Sequence, residues 1–198
     1  MVDVRFVRIS GTDVGACEAV LSDDELRRAD TYRAEEDRVR FVAARAALRS
    51  ALSEHRDVAP AAWRFETNEY GKPFVAGSAL RFSVSHSGDL VAIAIAEGVE
   101  VGIDVEQLAR GAEILRVAAR FFTAEEQQEL AAARDAELRA VELWTAKEAL
   151  LKARGTGLHG TLAAASLEGV AVRRWTIDGG WLAALVVLSA AGDRSGGT

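Results

Sequence analysis

Six residues, Val101-Gly102-Ile103-Asp104-Val105-Glu106, constrain this chain more than any others. Their alternation has a period of two, which predicts a strand. Neighbouring strand side chains face opposite ways, so Asp104 and Glu106 share one face while Ile103 and Val105 enter the core. A second stretch, Trp144-Thr145-Ala146-Lys147-Glu148-Ala149-Leu150-Leu151-Lys152, predicts a helix on which Trp144, Glu148 and Leu151 share an arc. Glu148 then sits among apolar neighbours, where an unpaired carboxylate is costly. Two carboxylates from a strand and a third from a helix suit a hard divalent cation. Magnesium takes oxygen ligands, keeps several waters and is usually shared with substrate phosphates. By spacing alone the same residues also read as the solvated face of an edge strand and an i,i+4 ion pair between Glu148 and Lys152.

The rest of the chain supplies a frame for these two stretches. Val2 to Ile9 alternates as a first strand, and Ser22-Asp23-Asp24-Glu25 is a capping box that opens a short helix. A longer helix is expected from Glu35 to Ser53, with Phe41, Ala44, Leu48 and Leu52 buried and Arg38, Arg40, Arg45 and Arg49 on a solvated face. Strands follow near Trp63 to Phe65, Arg81 to Ser85 and Val91 to Ala96, the last two forming a hairpin through Ser87-Gly88-Asp89. The strand with Asp104 closes this half. Helices are expected over Glu113 to Phe122, after the capping box Thr123-Ala124-Glu125-Glu126, and over Glu137 to Arg154, ending at Gly155. Two late strands, Val170 to Ile177 and Trp181 to Ser189, turn at Asp178-Gly179-Gly180. Both halves read as helix then hairpin. This predicts an α+β fold of two similar halves, residues 1–100 and 101–191, with a disordered tail at 192–198.

With 198 residues and 49% apolar composition, the chain can bury a sizeable core. Its net charge of −6 argues against nonspecific nucleic-acid binding. A single cysteine, Cys17, allows no internal disulfide and fits a cytoplasmic, reducing setting. The start carries no secretory apolar region, and the run from Leu182 to Ala191 is too short for a membrane span.

Three words in order, Phe82-Ser83-Val84-Ser85-His86-Ser87-Gly88, Gly102-Ile103-Asp104-Val105-Glu106 and Trp144-Thr145-Ala146-Lys147-Glu148-Ala149-Leu150-Leu151-Lys152, resemble the signature of the 4′-phosphopantetheinyl transferases of the Sfp-like class. The likeness runs in weaker form from about Leu21 to about Leu188. It implies a pseudo-twofold arrangement of the halves with the active site in the cleft between them. It implies transfer of the phosphopantetheine arm of coenzyme A to a serine of an apo acyl, polyketide or peptidyl carrier protein, the holo-acyl-carrier-protein synthase reaction, with release of 3′,5′-ADP. Asp104, Glu106 and Glu148 would hold Mg²⁺, and Lys152 would reach the pyrophosphate. Ser85 and His86 would hold the nucleotide end, and Lys72, in Gly71-Lys72-Pro73, a phosphate. Arg28 fits a basic position facing the 3′-phosphate, whereas Glu25 stands where the pattern often has a lysine. Either Glu148 or a metal-bound water would take the serine proton.

A monomer is expected, binding neither nucleic acid nor membrane. Its carrier would dock on an apolar patch comprising Leu108, Ile114, Leu115, Val117 and Phe121. Two other readings are a coenzyme A- or carrier-binding module without catalysis, and a metal-dependent phosphohydrolase. The intact acidic set disfavours the first, and the absence of a second His or Asp cluster disfavours the other.

Overall fold

The computed structural model describes residues 1–157 and 162–188; His159, Ser189 and the expected tail lie outside them. The first half runs β1 (Val2–Arg8), α1 (Val14–Glu18), α2 (Asp23–Ala29), α3 (Glu35–His55), a two-stranded ribbon of β2 (Glu66–Thr67) and β3 (Pro73–Phe74), then the hairpin β4 (Leu80–Ser87) and β5 (Leu90–Glu97). The second half runs β6 (Glu100–Gln107), α4 (Gly111–Phe121), α5 (Ala124–Ala132), α6 (Ala136–Arg154), then the hairpin β7 (Val172–Ile177) and β8 (Trp181–Leu188). Both expected capping boxes form, Ser22 with Glu25 and Thr123 with Glu126, because each hydroxyl and each carboxylate satisfies an orphan N–H at a helix start.

Two three-stranded antiparallel sheets result, ordered β1-β5-β4 and β6-β8-β7. Each is built from a lone strand, a group of helices, and a hairpin whose second strand takes the middle. The Asp104 strand therefore opens the second sheet, paired to β8, instead of closing the first half. Trp63 to Phe65 forms no strand. A 3₁₀ turn at Pro60–Ala62 precedes it, and the pairing begins one residue later, between Glu66 and Phe74.

Alternation on β5 splits its side chains between two cores. Val91, Ile93 and Ile95 pack under Leu48 and Leu52 of α3. Leu90, Ala92, Ala94 and Ala96 face Val101, Ile103 and Val105 of β6 and Ala183 and Leu185 of β8. On the far side of the second sheet, Ala184 and Val186 meet Ala146, Ala149, Leu150 and Ala153 of α6. The sheets thus pack face to face, with a long helix on the outer face of each.

Candidate active site

Helix α6 sits closer to β6 than side chains would normally permit. A Cβ on Gly102 would lie 1.9 Å from the Ala149 carbonyl oxygen and 2.3 Å from the Ala153 nitrogen, so only glycine lets the helix backbone cross there. Asp135 caps its start, and Gly155 ends it in a left-handed turn at φ 72°. Lys147 is fully buried and pairs with Glu126 of the α5 capping box, fixing the helix from its other side. Seated in this way, α6 presents Trp144, Glu148 and Lys152 to a cleft also lined by Ser85, His86, Asp104 and Glu106.

The carboxylates do not face open solvent. Asp104 is 4% exposed and Glu106 9%, because β4 covers the free edge of β6. Ser83 and Ser87 accept from the N–H groups of Ile103 and Gln107 at 3.0 and 3.2 Å. Ser87 donates to Glu106 Oε2 at 2.8 Å, and Ser85 donates to Asp104 Oδ1 at 2.7 Å. Lys152 Nζ reaches Asp104 Oδ1 at 2.6 Å and Ser85 Oγ at 2.8 Å. Lys152 therefore pairs with Asp104 across the seam, and Ser85 belongs to the acidic centre. Arg110 holds the other Glu106 oxygen at 2.6 Å. Burial pushes the Glu148 carboxyl above the usual range, and the neighbouring Asp104 charge pushes it further; burial likewise raises Glu106.

The donor chemistry of this cleft fits a divalent cation. Asp104 Oδ2 is enclosed and has no hydrogen-bond partner among the described residues, and three carboxylates crowd one cleft with their charges incompletely neutralised. As placed, no three such side chains among the described residues close on a single point. Lys152 occupies the position nearest Asp104.

A second cavity, of about 380 Å³, adjoins the cleft and shares Lys152 and His86 with it. Its walls include Arg28, Tyr32, Phe41, Arg45 and Lys72. His86 stands exposed at the junction. Partial burial, followed by the positive charges of Lys152 and Arg40, holds its imidazole below the usual range. Lys72 also lines the cavity, and its ammonium bonds Glu100 at 2.7 Å and the Ala153 carbonyl at 3.0 Å, satisfying the end of α6. Asn68 bonds the Gly155 carbonyl at 2.8 Å from the same loop.

The expectation of a solvated arginine face on α3 fails. Arg49 is 1% exposed and bonds Glu25, Pro60 and Trp63, and Arg45 lines the cavity. Both lie on the turn of α3 that α2 covers, a tertiary contact that helical periodicity does not report. Ile114, expected on a docking patch, is 1% exposed and packs on Ala140 and Val141 of α6. Leu108, Leu115 and Phe121 are half-buried, and Val117 alone of the five is exposed, at 38%.

An acidic cleft thus opens past a lysine and a histidine onto a basic, aromatic-walled cavity, a lining whose cationic donors match phosphate oxygens. Comparison with known proteins makes this specific. A family model described as 4′-phosphopantetheinyl transferase superfamily matches residues 100–185, and one described as 4′-phosphopantetheinyl transferase, N-terminal, matches residues 11–98. The chain belongs to the 4′-phosphopantetheinyl transferase superfamily. The 4′-phosphopantetheinyl transferase HetI of Nostoc sp. is 38% identical over 146 residues, 71% of this chain and 62% of its own length. The 4′-phosphopantetheinyl transferase Sfp of Bacillus subtilis is 30% identical over 142 residues, 70% of this chain and 62% of its own. The chain thus spans about three fifths of the length of these curated relatives. No helix among the described residues is long and apolar enough to cross a membrane.

Proposed function

We propose that the chain moves the phosphopantetheine arm of coenzyme A onto a serine hydroxyl of an apo acyl, polyketide or peptidyl carrier protein. One observation carries this reading: Lys152 and His86 line both the acidic cleft and the 380 Å³ cavity, so a ligand filling the cavity extends into the cleft. A nucleotide in the cavity would place a pyrophosphate beside Lys152. The serine oxygen attacks the phosphorus next to the pantetheine, the pyrophosphate bridge to the nucleotide breaks, and 3′,5′-ADP leaves. Lys152 holds the negative charge that gathers on the bridge. The serine proton passes to Glu148 or to a water that Glu148 orients.

Asp104, Glu106 and Glu148 are the residues that would hold Mg²⁺, which when bound neutralises pyrophosphate charge and orients it for in-line attack. Arg110 and Ser87 keep Glu106 directed at the cleft, and Ser85 does the same for Asp104. The repeated strand order supports two pseudo-twofold-related halves, 1–100 and 101–191, with the site between them, and the proposal takes the chain as a cytoplasmic monomer. The carrier would dock beside Glu106, on Leu115 and Val117 of α4.

The test is to incubate the protein with coenzyme A, Mg²⁺ and a panel of apo carrier proteins and to read intact carrier mass. Gain of the phosphopantetheine arm on one carrier supports the reading. Coenzyme A binding without transfer to any carrier would make the chain a binding module. Release of 3′,5′-ADP without a carrier would make it a phosphohydrolase.

A further inference from the structure

Lys152, which lines both the acidic cleft and the 380 Å³ cavity, lies in the last turn of α6. The last four carbonyls of a helix have no N–H further along to bond, so an end left untied frays. The Leu151 carbonyl is served by the Gly155 N–H at the left-handed stop. Those of Ala153 and Gly155 are served from the other half of the molecule. Lys72 Nζ donates to the first at 3.0 Å and Asn68 Nδ2 to the second at 2.8 Å.

The loop that supplies these donors is closed on itself. Asn68 Oδ1 accepts from the N–H groups of Tyr70 at 3.0 Å and Lys72 at 2.8 Å. The main chain closes the same turn, from the Gly71 N–H to the Asn68 carbonyl at 2.9 Å and from the Asn68 N–H to the Lys72 carbonyl at 3.0 Å. Two N–H donors on one side of the amide and a carbonyl on the other settle which of its atoms is oxygen. Asn68 thus folds its own turn with one atom and reaches α6 with the other. Lys72 is held at a second point by Glu100 Oε2 at 2.7 Å, and the other Glu100 oxygen accepts from Arg81 Nε at 2.8 Å. The approach is close: a Cβ on Gly155 would meet Lys72 Cδ at 2.9 Å and Asn68 Nδ2 at 3.1 Å.

Tyr70, Gly71 and Pro73 of this loop line the 380 Å³ cavity, as do Lys152 and Gly155 of the helix end. Asn68 and Glu100 line instead a neighbouring cleft of about 330 Å³. The tie between loop and helix therefore stands behind the ligand space. We infer that Asn68 is a positioning residue: by fastening the C-terminal end of α6 to the first half, it holds Lys152 at the mouth of the acidic cleft. It acts on transfer through Lys152 and makes no contact with coenzyme A. The inference rests on the transferase reading for its effect on rate, but the tie itself can be read without turnover.

Asn68→Asp and Asn68→Ala separate the two jobs of the side chain. Aspartate keeps an acceptor for the Tyr70 and Lys72 N–H groups, and so the turn, but puts an oxygen where the donor to Gly155 stood; alanine loses both. The chain has three lysines, Lys72, Lys147 and Lys152, so reductive methylation of the full chain, read by peptide mass, reports on Lys152 directly. Lys147, fully buried, gauges global unfolding in the same sample. In both variants Lys152 should label at least about threefold faster while Lys147 stays unlabelled. The kcat for carrier modification should fall roughly 10- to 100-fold, the range for a buried carbonyl left without its donor. Affinity for adenosine 3′,5′-bisphosphate, by calorimetry, should change by less than about threefold, as expected away from a ligand contact. Wild-type labelling of Lys152 in Asn68→Asp would mean that Asn68 only folds its turn, and would end the proposal. So would faster labelling of Lys147 alongside Lys152, or a loss of nucleotide affinity as large as the loss in kcat. Faster Lys152 labelling in the variants of a chain whose wild type transfers nothing to any carrier would leave the tie standing and overturn the transferase reading.

Discussion

Gly102→Ala tests whether the close seating of α6 on β6 builds the site. The added methyl would meet the Ala149 carbonyl oxygen at 1.9 Å and the Ala153 nitrogen at 2.3 Å, both backbone atoms that cannot rotate away. The helix would have to retreat by about 1–2 Å to restore ordinary contact near 3.5 Å. That movement opens the layer of Ala146, Ala149 and Ala153 against Ala184 and Val186, so a loss of about 3 kcal/mol is expected, the upper end for overpacking. It also carries Glu148 and Lys152 away from Asp104, where Lys152 now sits at 2.6 Å. A misplacement of that size costs on the order of 10²-fold in rate. Gly98→Ala is the control. Gly98 has φ +72° with nothing within 4 Å of its added methyl, so only backbone strain of about 1 kcal/mol applies. Urea unfolding and carrier-mass turnover would be measured on both. If Gly102→Ala lost no more stability than Gly98→Ala and kept its turnover, the tight crossing would not be what positions the site.

Three further outcomes are expected. Glu148→Gln should abolish carrier modification while holding or raising the melting temperature, because burial and Asp104 already disfavour the charge it removes; a clear fall in melting temperature would make Glu148 a structural group. Val117→Glu, at an exposed position, should raise the KM for the carrier roughly tenfold and leave that for coenzyme A unchanged, and a shift in both would remove α4 as the docking face. Burial would raise the Asp3 carboxyl, but hydrogen bonds from Arg5 and His55 outweigh it and hold the group below its ordinary 3.8. A depressed acid contributes stability above the unfolded value and loses it as pH falls through the folded one. The melting-temperature gap between wild type and Asp3→Asn should therefore be full at neutral pH and close below pH 3.8; a gap that persists in acid would refute the assignment.

Sequence patterns were most informative wherever one element buries its own side chains continuously. The alternation in Val101 to Glu106, the capping boxes at Ser22 and Thr123 and the glycine stop at Gly155 all correspond to observed elements, since each depends on residues within a few positions of one another. Contacts between distant elements left no such mark. Arg45 and Arg49 have the spacing of a polar helix face, yet α2 folds over that face and Glu25 meets them there. Ile114 follows β6 closely enough to suggest a place on a docking patch, but α4 turns it onto α6. The serine word before Gly88 is the most instructive case. Small hydroxyls beside a glycine read as a turn that admits a phosphate. On β4, however, alternation places Ser83, Ser85 and Ser87 on one face, and β6 pairs with a strand on only one side. Its free edge would leave the N–H groups of Ile103 and Gln107 buried without partners, which the fold cannot tolerate cheaply. The three hydroxyls meet that need at two backbone nitrogens and hold Asp104 and Glu106 in the same stroke. Ser87 does both at once, accepting from the Gln107 N–H while donating to Glu106, whereas Ser83 only seals the edge and Ser85 only holds Asp104, so of the three serine-to-alanine changes Ser87→Ala must disturb both.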